Sequence, residues 1–128
     1  MIKRSVMILG AALLAAGVST SAVAAPQAEI GYTPGALGVA ALMQGDYDAA
    51  ASRLTSLDGA TVGDPARLIN LGNAYAGMGR ITDADAAYRS AIKAMPVDLM
   101  LADGSIKSSR AIAREAMSRL PRTTYASR

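Results

Sequence analysis

From Pro65 onward the apolar positions recur three and four residues apart. Leu68, Leu71, Tyr75 and Met78 fall on one helical face. Asp64 and Pro65 form the start signal: a carboxylate accepts from the unpaired amides of a first turn, and proline fits the first helical position. Gly79 is suited to a positive φ that ends this helix, and Thr82 or Asp83 is expected to cap the next. There Ala84, Ala87, Tyr88, Ala91, Ile92 and Met95 continue an apolar stripe closed by Pro96. Small residues dominate one side, which predicts two closely packed helices, with Gly72 meeting Ala84 and Tyr75 and Tyr88 supplying bulk.

Beyond Pro96 the pattern changes. Val97 to Ala102 reads as a short extended run closed by Asp103-Gly104. Ile106, Ile112, Ala113, Ala116, Met117 and Leu120 then mark a third amphipathic helix, about 105–120, stopped by Pro121, with 121–128 expected to be a disordered tail. At the other end, Lys3 and Arg4 precede an apolar stretch from Ser5 to Val18 and a small, polar segment from Ser19 to Ala25. That three-part layout predicts a secretory signal over 1–24, cleaved after Ala24, with 25–32 a loose lead-in. The apolar stretch falls short of the ~20 residues that span a bilayer. The expected product, 25–128, has no further membrane segment and lies in the periplasm, or else outside the cell.

Composition removes much chemistry. The chain of 128 residues has no Cys and no His, so thiolate and imidazole catalysis, disulfides and the usual zinc sites fall away. With 52% hydrophobic residues it folds by packing apolar faces. The carboxylate pairs Asp46/Asp48 and Asp83/Asp85 lie at turn-to-helix boundaries and read as capping groups rather than as acid/base pairs. No phosphate-binding glycine loop and no calcium-loop spacing is present, and no metal or other cofactor is expected. Met43, Met78, Met95, Met100 and Met117 read as adaptable core filling.

A longer period underlies the shorter ones. Leu37-Gly38 and Leu71-Gly72, Gly45 and Gly79, and Ala50 and Ala84 are each separated by 34 residues. This cadence resembles the tetratricopeptide repeat (TPR) family, whose unit is a helix, a turn and a second antiparallel helix. In the second copy Leu71, Gly72, Tyr75, Ala84, Tyr88, Ala91 and Pro96 match the family's signature, and Leu68 replaces its Trp. The first copy keeps Leu37, Gly38, Gly45 and Ala50, with a turn-like Gln44 to Ala50; it departs at Ala41, Leu54, Leu57 and Val62, and Pro34 at the Trp position predicts a late helix start. The resemblance implies an all-α domain over 33–120: two helix hairpins, about 31–64 and 65–98, as a right-handed solenoid fragment capped by the third helix.

It also implies a non-enzymatic protein-interaction module or scaffold that holds a peptide in a groove lined by the first helices. By position that lining is Val39, Leu42, Met43, Ile69, Asn70, Asn73 and Ala76. The Lys and Arg of a carboxylate clamp are missing, so an apolar segment is the expected ligand, with Asn73 bonding its main chain. An alternative rests on charge: 97–128 carries six basic and three acidic residues, and Lys107, Arg110 and Arg114 form a stripe suited to an anionic surface or an acidic protein. Nucleic acid is not an expected partner, since stacking aromatics are sparse and the chain is expected to be exported. Two units leave an apolar flank that a second copy, as a homodimer, would cover.

Overall fold

Helices account for most of the computed structural model, which describes residues 31–33, 35–56 and 63–122. The signal reading, most of the lead-in, Pro34, Leu57, Val62 and the tail from 123 lie outside these residues. The order is α1 (Val39–Met43), α2 (Tyr47–Thr55), α3 (Pro65–Gly77), α4 (Ile81–Lys93), β1 (Asp98–Met100), β2 (Ile106–Ser108) and α5 (Ser109–Ser118).

The 34-residue cadence reappears as turn geometry. After α1, Gly45 at φ 73° lets its amide reach Leu42 O (3.1 Å) and the Asp46 amide reach Ala41 O (2.9 Å). After α3, Gly79 at φ 74° does the same: Gly79 N to Ala76 O at 3.0 Å and Arg80 N to Tyr75 O at 2.8 Å. Each is a Schellman end, in which a left-handed glycine satisfies two carbonyls and turns the chain back on itself. The packing repeats as well. A Cβ at Gly38 would lie 3.5 Å from Cγ of Leu54, and one at Gly72 would lie 2.6 Å from Cδ1 of Tyr88, the residue 34 positions beyond Leu54. Gly72 therefore makes room for the Tyr88 ring, not for Ala84 as expected. Gly77 similarly faces the ring of Tyr47, whose Cδ2 would be 2.6 Å from a Cβ there.

The capping pattern is asymmetric. Asp46 accepts from Ala49 N (3.1 Å) and Asp64 from Ala66 N (2.8 Å) and Arg67 N (3.4 Å), the latter with Pro65 in the first turn. α4 starts at Ile81, earlier than a Thr82 or Asp83 cap would set it. Arg80 is its N-cap residue without a capping side chain; its guanidinium pairs with Asp83 (2.8 Å) and stacks 4.5 Å from the Tyr75 ring centre. α1 is only five residues long because Gly38, at φ 63°, stands in the left-handed region where an α-helix cannot begin earlier.

The core has two connected parts. Leu42, Ala50, Ala51, Leu54, Leu71, Ala74 and Ala87 join α1, α2, α3 and α4. Leu37, Ala66, Ile69, Ala84, Tyr88, Ala91, Leu99, Ile112, Ala113 and Ala116 join the α3/α4 hairpin to β1 and α5. The apolar run after Pro96 is extended as expected, but it pairs with a second strand: Asp98, Leu99 and Met100 face Ser108, Lys107 and Ile106 in an antiparallel ribbon. Residues 106–108, expected in the third helix, form that second strand, and α5 starts at Ser109. Ser109 is fully buried and locks the ribbon's base, donating its amide to Val97 O (2.8 Å) and accepting Val97 N on Oγ (3.1 Å).

Candidate interaction surface

Most residues expected to line a peptide groove are inside the fold. Leu42, Ile69 and Ala76 are buried in the two core clusters, Val39 is half-buried, and Met43 alone is open, at 66% exposure. Asn70 and Asn73 have no exposed surface. Asn70 Nδ2 donates to Leu37 O (3.0 Å), Asn73 Nδ2 lies 3.4 Å from Asn70 Oδ1, and the Tyr88 hydroxyl donates to Asn73 Oδ1 (2.7 Å). The two amides thus knit the segment before α1, α3 and α4 together, and Asn73 does not present itself to a bound main chain. Burial raises the Tyr88 hydroxyl above the ordinary tyrosine value, which keeps it a donor.

The expected basic stripe is likewise broken up. Lys107 sits on β2 and pairs with Glu115 at 3.3 Å. Arg110 clasps the C-terminal end of α4, its Nε donating to Ile92 O (2.9 Å) and a terminal nitrogen to Ala94 O (3.3 Å). Arg114 remains exposed. Buried Arg67 makes the matching clasp one layer earlier, its Nε donating to Leu54 O (2.6 Å) at the end of α2. Sequence reasoning passed over Arg67; its signal is an arginine in the first turn of the helix that follows a hairpin. Of the four carboxylates expected to cap, Asp46 caps α2 and Asp48 lies in its first turn, whereas Asp83 pairs with Arg80 and Asp85 with Arg89 (2.6 Å) and neither caps α4. Among the described residues no group of three or more carboxylates is gathered in metal-binding geometry.

Three of the five methionines read as core filling are exposed: Met95 at 84%, Met43 at 66% and Met100 at 41%, while Met78 and Met117 pack against the core. α4 ends at Lys93, before its stripe reaches Met95.

Among the described residues, an open apolar surface framed by α-helices lies between α4 and α5. The two helices are antiparallel, since Arg110 at the start of α5 meets the end of α4, while Leu120 and Pro121 lie near Ile81 and Thr82. Along their outer seam are two adjoining concavities that share Met117. One, about 390 Å³, has Ile92 and Met117 among Arg89, Lys93 and Arg114. The other, about 440 Å³, is lined by Ile81, Thr82, Asp85, Leu120, Pro121 and Arg122. At the preceding seam, between α2 and α3, Ala87 of α4 shares one buried cluster with Ala50, Leu54 and Leu71. Among the described residues no helix follows α5 to join the α4/α5 seam in the same way.

No described helix is long and apolar enough to cross a membrane. Comparison with known proteins gives no match to a family model, a curated protein or a solved structure.

Proposed function

We propose that this chain is an exported, non-enzymatic, TPR-like interaction module that captures a segment of another protein. The observation that carries this reading is the seam of α4 and α5, where Ile92, Met117 and Leu120 are only partly covered and no described helix packs over them. A helical stack buries each layer under its neighbour, so a seam that no described helix fills is a surface suited to one more layer. The doubled Schellman turns and the glycine-to-large-residue contacts at 34-residue spacing support the TPR likeness. The leader read over 1–24 supports export to the periplasm or beyond.

The reading moves the binding face from the inner lining anticipated from the resemblance to the outer seam, because Ile69, Asn70, Asn73 and Ala76 are already occupied by the chain itself. Affinity isolation from the producing cell after chemical fixation tests it. The wild-type chain is expected to retain a partner protein that Ile92→Lys loses while its circular dichroism is unchanged. Equal recovery of the same partners with both chains contradicts the reading.

A further inference from the structure

We infer that the α4/α5 seam receives an amphipathic helix carrying acidic residues on the flanks of its apolar face; this rests on the interaction-module reading and adds the partner's chemistry. Four cations border the two concavities, Arg89, Lys93, Arg114 and Arg122, against the single carboxylate Asp85. Asp85 is engaged by Arg89, whose guanidinium is held above its ordinary value by that hydrogen bond. Among the described residues Lys93, Arg114 and Arg122 have no ion pair. The surplus positive charge therefore surrounds the apolar residues Ile92 and Met117, which repels a basic partner, gives an uncharged apolar one no added attraction and suits an acidic one.

The shape selects a helix. The seam runs along two antiparallel helices, and α4 has thirteen residues, a length of about 20 Å, which matches a partner helix of roughly three to four turns. Laying an apolar stripe into a groove between helices is an established way of recognising a peptide, and it satisfies the ligand's backbone internally. An extended segment would need a free strand edge, and none lines the seam. A bilayer is a poorer match: polybasic membrane contacts rely on clusters of about four to eight cations on an accessible face. Here Arg89 is already paired with Asp85, which leaves, among the described residues, three unpaired cations around a concave trough that holds Ile92 and Met117. A single acyl chain would be left largely in water, because the trough is open along its length and small-molecule sites enclose most of their ligand.

The test uses the purified full chain and two synthetic fluorescent helices of eighteen residues. Both carry Leu at positions recurring every three and four residues; one is flanked by Glu, the other by Lys. The Glu helix is expected to bind at least about tenfold more tightly than the Lys helix and to shift the NMR signals of the Ile92 and Met117 methyl groups. The doubly exposed variant Lys93→Glu/Arg114→Glu is expected to reverse the preference without changing the thermal transition. Equal affinity for the two helices overturns the inference, as does binding that leaves the Ile92 and Met117 signals in place. So does sedimentation with phosphatidylglycerol vesicles that competes with the Glu helix, which would assign the seam to an anionic membrane. If Ile92→Lys loses the cellular partner yet the synthetic helices bind alike, the interaction module stands and only the acidic-helix chemistry fails. Should that variant keep every partner, the module reading is what fails.

Discussion

At the scale of single residues, the chain is held by a few polar groups placed where nothing but the chain itself meets them. Asn73 accepts from Tyr88 across the α3/α4 interface, so Asn73→Ala leaves a buried hydroxyl without its acceptor. The expected loss is about 1–3 kcal/mol of unfolding free energy, measurable by urea denaturation. A loss in the range of an exposed site would place Asn73 at the surface instead. Gly72 sets two effects against each other. Alanine gains about 1 kcal/mol of helix propensity, whereas its Cβ collides with the buried Tyr88 ring, for which overpacking costs about 1–3 kcal/mol. The collision is expected to win, giving net destabilisation of Gly72→Ala. In a Tyr88→Leu background the added cost is expected to shrink, because that pair copies the Gly38 and Leu54 of the first unit. If Gly72→Ala stabilises both backgrounds, the collision with Tyr88 is not what that position is shaped by.

Among the elements, the chain's turns were far more legible than its helix starts. Gly45 and Gly79 could be read because a left-handed Schellman glycine has few substitutes, and Asp64-Pro65 because carboxylate and proline each have a local role. The start of α4 was misplaced because Arg80 is tied to Asp83 and the Tyr75 ring, contacts that local capping rules do not contain. The strand over Ile106–Ser108 was missed for a related reason. Ile106 has the right spacing to join the stripe of α5, and its pairing with Met100 is a tertiary fact. Burial of Asn70 and Asn73 was invisible in the same way, since the same residue type serves a solvent face and an internal tie. The Arg110 clasp is a general device at this scale, a cation on the unpaired carbonyls at the end of the preceding helix. Arg110→Met is expected to cost roughly 1–3 kcal/mol by loss of a charge-assisted bond. In amide exchange it should loosen residues 88–93 more than residues 65–72; uniform loosening would contradict the clasp.

For the molecule as a whole, stability against pH follows from Tyr32, which ties the segment before α1 to the cap of α3 by donating to Asp64 (3.1 Å). Burial first, then the Asp64 hydrogen bond and charge, raise its hydroxyl to about 12. A raised folded value means that the unfolded chain loses this proton first. The contribution is therefore complete below the ordinary tyrosine value near 10 and is lost as pH climbs from there through about 12. Tyr88, also raised by burial, adds in the same direction. The midpoint of urea unfolding is expected to fall across this alkaline window, and less steeply in Tyr32→Phe; a flat profile would contradict the tie. In the layered order α1/α2, α3/α4, α5, Ala87 of α4 joins the core that α2 and α3 share, and no described helix plays that part over the seam of α4 and α5. The central claim is that this last seam is where a partner binds. A photo-crosslinking amino acid placed at Arg89 on the seam, or at Ser52 on the exposed face of α2, tests it directly in the producing cell. The account predicts one discrete protein adduct from position 89 and none from 52; adducts from 52 alone, or from neither position, would contradict it.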